Sequence, residues 1–388
     1  MNHVNLPDRS RCVGCMGCVD ACAKGVLYAS FEYDRHLYPA RRDGGKMCVD
    51  CGSCVSRCPV LKDGWPGRRP GRAGVYAAWA KDRELRAKSA SGGVFAALAH
   101  SLLERGWLVW GAESVGFDVR HVCVDDVCDL SRLQGTKYIL GDMSGVYARV
   151  VGQLRTGKNV LFSGLPCQCA AMRLAAEGIE GDSLLLVDLV CGGVPSLEPR
   201  DLYRKLHPEV ASVVSYRDKS GGWKSRRFKY RLRVRDAQGM ETDEGPYNAL
   251  TLGFNSEIFR RESCGDCKFA GQGRMSDLTI GDFWGIEDFP EEHAGGISCV
   301  VANSEKGAQA LLDVAGRLCL HPADYAILKK GNPRVENGQT PVRARGLKTL
   351  LYRMFFRAQR FLPMPGLILA IVFSVMNRVC NVLKGRDA

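Results

Sequence analysis

Two cysteine runs near the amino terminus carry the strongest chemical signal in this sequence. Both have the spacing C-x2-C-x2-C-x3-C, and a proline follows the second run. Three thiolates at this spacing wrap one iron–sulfur core, and in two-cluster ferredoxins the fourth cysteine of each run binds the other cluster. The spacing therefore predicts two 4Fe-4S clusters, one on Cys12, Cys15, Cys18 and Cys58, and one on Cys48, Cys51, Cys54 and Cys22.

A pair of zinc sites is the alternative explanation for these cysteines. Zinc closes with four ligands in two pairs and leaves no role for the third cysteine of each run, so the spacing favours iron. The first residues contain no apolar segment typical of a secretory signal. Without export, clustered cysteines indicate metal ligation rather than disulfides, and we expect a cytoplasmic location.

Length and composition limit the class of protein. The chain has 388 residues, of which 46% are hydrophobic and 25% charged, which is typical of a soluble protein with two or three domains. Disorder and a polytopic membrane protein are therefore excluded as the main state. The formal charge of +12 falls to about +6 if three clusters are bound. Because no recognition motif accompanies this charge, we expect no nucleic-acid partner.

The chain divides into a cysteine-dense front and a longer body. Residues 1–62 are too short to bury a core without metal, and 63–74 form a Gly-, Pro- and Arg-rich linker. Apolar patterning then predicts alternating strands and helices. Strands are expected at 75–80, 159–164, 184–190 and 297–302, helices at 94–106 and 304–318, and an antiparallel hairpin at 227–234. The predicted fold class is α+β, a bacterial-type two-cluster ferredoxin module followed by an α/β body with a mixed sheet.

Several motifs in the body place small, polar and cysteine residues after predicted strands. Ser91 can cap the helix that follows it, and the adjacent glycines leave backbone N–H groups open to an anion. The motifs are Ser89-Ala-Ser91-Gly92-Gly93, Gly135-Thr-Lys137-Tyr138, Gly164-Leu-Pro-Cys167-Gln168, Cys191-Gly-Gly-Val-Pro-Ser196, and the stretch from Cys264-Gly-Asp-Cys267 to Gly281-Asp282-Phe-Trp284-Gly285.

In this order, the motifs closely resemble the beta-subunit family of coenzyme F-420 hydrogenase/dehydrogenase. That family consists of iron–sulfur flavoproteins, several of which carry the same ferredoxin front. The resemblance implies that residues 75–160 and 161–325 are the amino- and carboxyl-terminal parts of the subunit. It also implies a flavoprotein body with bound FAD and a further 4Fe-4S cluster. The substrate stays open, because relatives act on the deazaflavin coenzyme, on tetrapyrroles, or as electron-input modules.

The third cluster is assigned to Cys167, Cys191, Cys264 and Cys267, with Cys169 as a rival ligand. The alternative is that Cys167 and Cys191 are buried small hydrophobes and that Cys264 and Cys267 bind nothing. The same resemblance places the pyrophosphate of FAD on a loop formed by Ser89, Ser91, Gly92 and Gly93. Lys137 and Tyr138 are expected near the flavin or its phosphates. The alternatives are an ordinary helix start for the loop and a surface position for Lys137. The catalytic residues stay unassigned.

These assignments predict an oxidoreductase that moves electrons between its clusters and a two-electron partner through FAD. The alternative is a non-catalytic electron-transfer subunit that feeds a partner enzyme. The expected protein partner is a ferredoxin or another redox protein. The expected small substrate exchanges two electrons, and coenzyme F-420 is one candidate. The tail, residues 343–388, combines a basic helix with an amphipathic one. It suits the inner face of the cell membrane, or alternatively the protein's own core.

Overall fold

The computed structural model describes most of the chain. The described ranges are 5–32, 34–42, 47–62, 74–179, 181–219, 221–223, 231–245, 248–271, 274–338 and 345–359. Residues 63–73 of the predicted linker and residues 360–388 of the tail lie outside the described residues, as do 227–230 of the predicted hairpin.

The front module combines one β-hairpin with two single-turn helices. Strands β1 (Leu27–Phe31) and β2 (Leu37–Arg41) pair antiparallel, and helices α1 (Gly17–Asp20) and α2 (Ser53–Ser56) follow the cysteine loops. Each helix begins after a residue with left-handed backbone, Met16 before α1 and Gly52 before α2. Such turns allow a short chain segment to curl tightly between cysteines.

The body is built on a large mixed sheet, as the sequence predicted; this sheet has eight strands, and a second sheet has three. The large sheet has the strand order β13-β3-β12-β11-β7-β6-β4-β5, and the small one has the order β10-β9-β8. The strands are β3 Gly74–Ala80, β4 Leu108–Val115, β5 Asp118–Val124, β6 Val160–Gly164, β7 Leu184–Leu189, β8 Val210–Ser215, β9 Leu232–Asp236, β10 Glu241–Glu244, β11 Leu278–Asp282, β12 Ser298–Ala302 and β13 Leu318–Pro322.

Strand direction decides where the motifs meet. Strands β4, β6, β7 and β11 pair parallel to one another, and β12 pairs antiparallel to both β11 and β3. Strand β3 therefore runs in the same direction as the four parallel strands. The carboxyl ends of β3, β4, β6, β7 and β11 share one edge of the sheet, which we call the carboxyl edge. Loops at such an edge form the binding crevice of open α/β sheets.

Helices cover both faces of the large sheet. Leu161 and Leu185 pack against α4 on one face, whereas Phe162 and Leu186 pack toward α5 and α6 on the other. This two-sided burial explains the continuous apolar runs of β6 and β7. The helices of the body are α3 Arg83–Lys88, α4 Val94–Glu104, α5 Val146–Arg155, α6 Pro166–Ala175, α7 Glu198–Leu206, α8 Ala249–Asn255, α9 Glu305–Asp313, α10 Tyr325–Gly331 and α11 Arg345–Gln359.

The front module docks on the face that carries α5 and α6. Its Met16 is 1% exposed and belongs to the same apolar cluster as Tyr147 of α5 and Met172 of α6. The carboxylate of Asp20 accepts hydrogen bonds from the backbone N–H groups of Gly145 and Ala148, at the start of α5. A carboxylate at a helix amino terminus is favourable, so the contact fixes the module on the body.

One predicted element differs from the structure. The helix expected at 304–318 ends at Asp313, and after a short 3₁₀ turn residues Leu318–Pro322 form an edge strand paired with β3. Leu318 is buried in this sheet, so tertiary pairing overrides the helical pattern. The described part of the hairpin prediction is strand β9, which begins at Leu232 and pairs antiparallel on both sides.

The described part of the tail, helix α11, packs on the chain itself. Tyr352 and Phe356 are fully buried, and the Tyr352 hydroxyl donates to the Ala249 carbonyl of α8. The Arg353 guanidinium pairs with Glu198 of α7. This helix therefore has the core-docked arrangement, while residues 366–384 lie outside the described residues. None of the helices in the described ranges combines the length and hydropathy that crossing a membrane requires.

Candidate redox site

Four thiols of the front module form a buried group. They are Cys12, Cys15, Cys18 and Cys58, each less than a tenth exposed, and we call them the proximal group. Burial, with added repulsion from Cys12 and Cys58, raises the pKa of Cys15 to about 12. Burial also raises the pKa of Cys18, and the thiols of Cys15, Cys12 and Cys58 add to the rise. Thiols so buried and so close stay protonated unless a metal binds them as thiolates.

A second group lies nearer the surface. We call Cys22, Cys48, Cys51 and Cys54 the distal group. Burial raises the pKa of Cys54, and the nearby thiols of Cys22 and Cys48 raise it too. Cys51 is exposed, and a hydrogen bond from Ser53 lowers its pKa. The thiol of Cys54 also interacts with Cys18, so the distal and proximal groups are neighbours.

A third group forms at the carboxyl edge of the large sheet, and we call it the body group. Cys167 lies in the first turn of α6, directly after β6, and Cys191 follows β7. Cys264 and Cys267 come from the segment between α8 and β11. Burial strongly raises the pKa of Cys167, and the thiols of Cys191, Cys264 and Cys267 contribute to the rise. The structure therefore brings together the four cysteines predicted for a third cluster.

The rival ligand Cys169 points elsewhere. It is fully buried, and its Sγ donates to the Val187 carbonyl at 3.6 Å. Its strongest charged neighbour is Asp188, followed by Arg173 and Asp277. Two residues after Cys167 on a helix, its side chain faces the sheet rather than the body group. Cys169 is thus placed as a core residue.

The proximal and body groups meet across the docking surface. Cys15 is the thiol that affects the pKa of Cys167 most strongly after burial itself. The Tyr147 hydroxyl of α5 donates to the Cys15 carbonyl at 2.7 Å, and Ser263 Oγ donates to the Cys12 carbonyl at 3.0 Å. The backbone of two predicted ligands is therefore held by side chains of the body.

The surroundings of the sulfurs suit iron–sulfur clusters. Backbone N–H donors to ligand sulfur tune such clusters. These hydrogen bonds join Val26 N to Cys22 Sγ at 3.3 Å, Gly193 N to Cys191 Sγ at 3.3 Å and Val194 N to Cys264 Sγ at 3.4 Å. Within the described ranges, no three His, Cys, Asp or Glu side chains are close enough to hold one metal ion. A 4Fe-4S cluster binds each thiolate to a different iron, so its sulfurs stand farther apart than ligands of a single ion.

The loop predicted for FAD follows β3 at the carboxyl edge, but its polar groups are used within the protein. Ser91 Oγ donates to the Ile297 carbonyl at 2.9 Å instead of capping α4, and Gly92 N donates to Ser298 Oγ at 2.9 Å. Gly93, with φ of 85°, is the residue that caps α4. Ser89 lies at the end of α3, where its Oγ donates to the Leu85 carbonyl at 2.8 Å. The expected capping role of Ser91 is therefore wrong, because a tertiary hydrogen bond competes for its hydroxyl.

Lys137 and Tyr138 lie on a segment attached to this loop. Gln134 Nε2 donates to Ser89 Oγ at 3.0 Å, which joins the two segments. The Lys137 ammonium donates to the Gln134 carbonyl at 2.6 Å, and burial lowers its pKa to about 8. Tyr138 stacks on Phe254, with ring centroids 3.8 Å apart. Lys137 is thus a partly buried lysine rather than a freely solvated one.

A polar cluster beyond β11 was not predicted from the sequence. Asp282 accepts hydrogen bonds from Arg217 Nη1 and from Trp223 Nε1, both at 2.7 Å. The rings of Trp223 and Trp284 stack with centroids 4.4 Å apart. The Lys219 ammonium binds the carbonyls of Arg86, Ser91 and Gly295 at 2.5–2.8 Å. The sequence feature that could have indicated this cluster is the pair of tryptophans among polar residues.

Asp277, directly before β11, supports the sheet. One carboxylate oxygen accepts from Leu186 N at 2.9 Å, and the other from Ser304 Oγ at 2.8 Å. Arg173 pairs with the same carboxylate. These contacts give Asp277 a structural role. The arginines of β9 are paired as well: Arg233 contacts Asp218 and Asp243, and Arg235 contacts Glu241.

A ferredoxin-like module on a mixed-sheet body defines an iron–sulfur protein with an α/β partner domain. Family models give the relationship. "Coenzyme F420 hydrogenase/dehydrogenase, beta subunit N-term" matches residues 75–147, the corresponding "C terminus" model matches 157–325, and "4Fe-4S dicluster domain" matches 11–61. The chain belongs to the coenzyme F420 hydrogenase/dehydrogenase beta-subunit family, with a 4Fe-4S dicluster domain at its front.

Individual relatives match parts of the chain. One subunit of the F(420)H(2) dehydrogenase of Methanosarcina mazei is 24% identical over 52% of this chain and 58% of its own length, less than two thirds of that relative. The VorC subunit of the ketoisovalerate oxidoreductase of Methanothermobacter marburgensis is 33% identical over 14% of this chain and 68% of its own. A chain of the F420-reducing [NiFe] hydrogenase complex from Methanosarcina barkeri aligns at 16% identity and a TM-score of 0.48, covering 75% of this chain and 95% of that one.

Proposed function

We propose that this chain moves electrons between 4Fe-4S clusters and a two-electron donor or acceptor through FAD. Coenzyme F-420 is the candidate small substrate, by membership of the family and by similarity to a dehydrogenase named for F(420)H(2). The observation that carries the proposal is the body group. Cys167 and its three neighbours gather at the carboxyl edge and face Cys15 of the proximal group.

The burial of the three thiol groups supports an order of electron flow. The distal group is the most accessible, with Cys51 exposed, and it adjoins the proximal group through Cys54 and Cys18. The proximal group adjoins the body group through Cys15 and Cys167. Single electrons would pass between a ferredoxin or another redox protein at the distal end and the body at the other. The protein's contribution is the spacing and the burial of the clusters.

Some groups at the carboxyl edge suit FAD binding, whereas others are used within the protein. The first turn of α4 presents backbone N–H groups without partners inside the helix, which suits a phosphate. Ser91 and Gly92 hold the loop in place rather than donating outward, and Lys219 anchors the same loop through the Ser91 carbonyl. Lys137 adds positive charge nearby. When bound, a flavin exchanges single electrons with clusters and hydride with an organic substrate.

Iron and flavin analysis of anaerobically purified protein tests the proposal. Three clusters require about twelve iron atoms per chain, and FAD should be released at about one per chain. Cys267→Ser should lower the iron content to about eight, because it removes a ligand of the body group. Cys169→Ser is the matched control, since Cys169 contacts the core, and it should keep about twelve. About eight iron atoms in the unaltered protein would exclude the third cluster.

The alternative function is an electron-transfer subunit whose substrate site lies on a partner chain. It is favoured by the first relative, which is named as a subunit of a dehydrogenase. Flavin chemistry on the isolated chain separates the two functions. Rapid bleaching of the flavin absorbance by reduced coenzyme F-420 supports a self-contained enzyme. Bleaching by dithionite alone supports the electron-transfer role.

A further inference from the structure

One arginine lies at the seam between the front module and the body. Arg261 belongs to the body, where its backbone N–H donates to the Val194 carbonyl at 2.9 Å. Its side chain enters the module: Nη2 donates to the Leu37 carbonyl at 2.8 Å and Nη1 to the Cys12 carbonyl at 3.4 Å. The guanidinium lies 4.4 Å from the Tyr38 ring centroid. The residue is only 1% exposed, so a full positive charge is buried at the seam.

This charge has no carboxylate partner in the described part of the chain. The guanidinium contacts carbonyl groups and an aromatic ring, and its Nε is buried without a hydrogen-bond partner. A buried cation is costly unless negative charge lies close to it. Arg261 lies beside a cysteine of each group: its Nη1 donates to the Cys12 carbonyl of the proximal group, and its own carbonyl accepts from the backbone N–H of Cys264 of the body group at 3.1 Å. When the clusters of the proposed function are bound, their thiolate ligands supply negative charge on both sides of this guanidinium.

The module is shaped to admit this guanidinium. A Cβ on Gly14 would lie 2.5 Å from Arg261 Nη2, and Gly14 has a φ of 67° that side-chain-bearing residues rarely adopt. A glycine between Cys12 and Cys15 thus leaves space for an arginine that comes from the body. Ser263 Oγ contacts the same Cys12 carbonyl at 3.0 Å and carries no charge. Arg261 and Ser263 consequently share a docking contact and differ in charge.

We propose that Arg261 is a positioning residue that holds one positive charge between the proximal and body clusters and raises the reduction potential of both. The inference rests on the clusters of the proposed function. A 4Fe-4S cluster with four thiolates changes its total charge from 2− to 3− when it accepts one electron from a reduced ferredoxin-type donor. A nearby cation stabilises the more negative state, and a buried position weakens solvent screening of that effect. Because this charge lies between the two clusters, it stabilises the reduced state of both.

Redox titration of the holoprotein, followed by electron paramagnetic resonance, tests this inference. Arg261→Met removes the charge and keeps most of the side-chain length, whereas Ser263→Ala removes only the neutral contact to the Cys12 carbonyl. We expect Arg261→Met to shift the reduction equilibrium of both clusters about tenfold toward the oxidised state. For a one-electron couple this lowers the midpoint potential by about 59 mV. Ser263→Ala should leave both potentials unchanged.

Two results would overturn the inference. One is an unchanged pair of potentials in Arg261→Met protein that retains its iron and sulfide. The other is an equal shift in Ser263→Ala, because packing rather than charge would then be responsible. If Arg261→Met fails to retain iron, Arg261→Lys and Arg261→Gln answer the same question, since only the lysine keeps the charge. The midpoint potentials of both clusters must then be lower in Arg261→Gln than in Arg261→Lys. Iron content of the unaltered protein tests the proposed function separately.

Discussion

The buried pair of Arg274 and Asp188 gives a prediction whose size follows from the structure. Arg274 Nη1 donates to Asp188 Oδ1 at 2.9 Å, and the two side chains are 4% and 0% exposed. Burial raises the pKa of Asp188, and Arg274 opposes that rise. Asp188 ends the buried part of β7, three residues before Cys191. The pair therefore supports the strand that delivers one predicted cluster ligand.

Arg274→Met should destabilise the body by about 3–5 kcal/mol, because it leaves a buried carboxylate without its cation. The cost of neutralising that carboxylate is similar: protonating a carboxyl group of ordinary pKa 3.9 at pH 7 costs about 4 kcal/mol, at 1.36 kcal/mol per pKa unit. At about 2–4 °C per kcal/mol for a domain of this size, the thermal midpoint should fall by roughly 6–20 °C. Asp188→Asn should also destabilise, because it leaves Arg274 buried and unpaired.

Thermal unfolding of the anaerobic holoprotein at one scan rate measures these effects, and the double variant Arg274→Met/Asp188→Asn completes the cycle. The double variant should lose clearly less than the sum of the single losses, since neither buried charge then remains. The defect of Arg274→Met should also shrink as the pH falls from about 7.5 to about 6. Without its cation, Asp188 has a folded-state pKa above the unfolded one, so the folded state binds the extra proton and stability falls as pH rises. A strictly additive cycle, or a loss below about 1 kcal/mol for Arg274→Met, would refute this reasoning.

Three further predictions concern the loop, the core and the tail. Gly92→Ala should lower the free energy of unfolding by about 1–3 kcal/mol, because its Cβ would lie 2.4 Å from the Ala78 carbonyl oxygen. Gly152→Ala in α5 meets open space and should raise the free energy of unfolding by about 0.5–1 kcal/mol, so the thermal midpoints of the two variants should move in opposite directions. Burial lowers the pKa of His121 to about 4, so the unfolded state binds more protons and stability falls as pH drops below 6.5. His121→Gln should remove about 1 kcal/mol of that loss between about pH 7.5 and 5.5, measured by unfolding. Deleting residues 361–388 should weaken co-sedimentation with anionic vesicles and leave α11 docked; unchanged sedimentation would contradict the membrane interpretation of the tail.

Local apolar pattern was sufficient to predict the central strands. The runs at 159–164 and 184–190 are β6 and β7 within about one residue, because strands buried on both faces need an uninterrupted apolar sequence. The same logic failed after Asp313. There the sequence allows a longer helix, but Leu318 and its neighbours gain more by pairing with β3 at the sheet edge. Pairing at the sheet edge is a tertiary interaction, so the local hydrophobic periodicity of the sequence does not predict it.

For polar residues at the carboxyl edge, the sequence predicted their position but not their hydrogen-bond partners. The motif Ser89–Gly93 does follow a strand and open a helix, but the partner of Ser91 is Ile297, some two hundred residues away. Lys219 could not be predicted for the same reason, since its partners are carbonyl groups from three separate segments. Side chains that bind backbone across the fold carry no local spacing signal.

The thiol groups show where the limit of sequence reasoning lies. Cys167 and Cys191 each follow a strand, and because β6 and β7 are neighbouring parallel strands their carboxyl ends must meet. That half of the body group is a consequence of topology. Its contact with Cys15 depends instead on how the module docks, which is fixed by Tyr147, Ser263 and the buried charge of Arg261. A buried arginine without a carboxylate partner is costly unless other negative charge lies close to it, and bound clusters would supply that charge, so docking and cluster loading should stabilise each other.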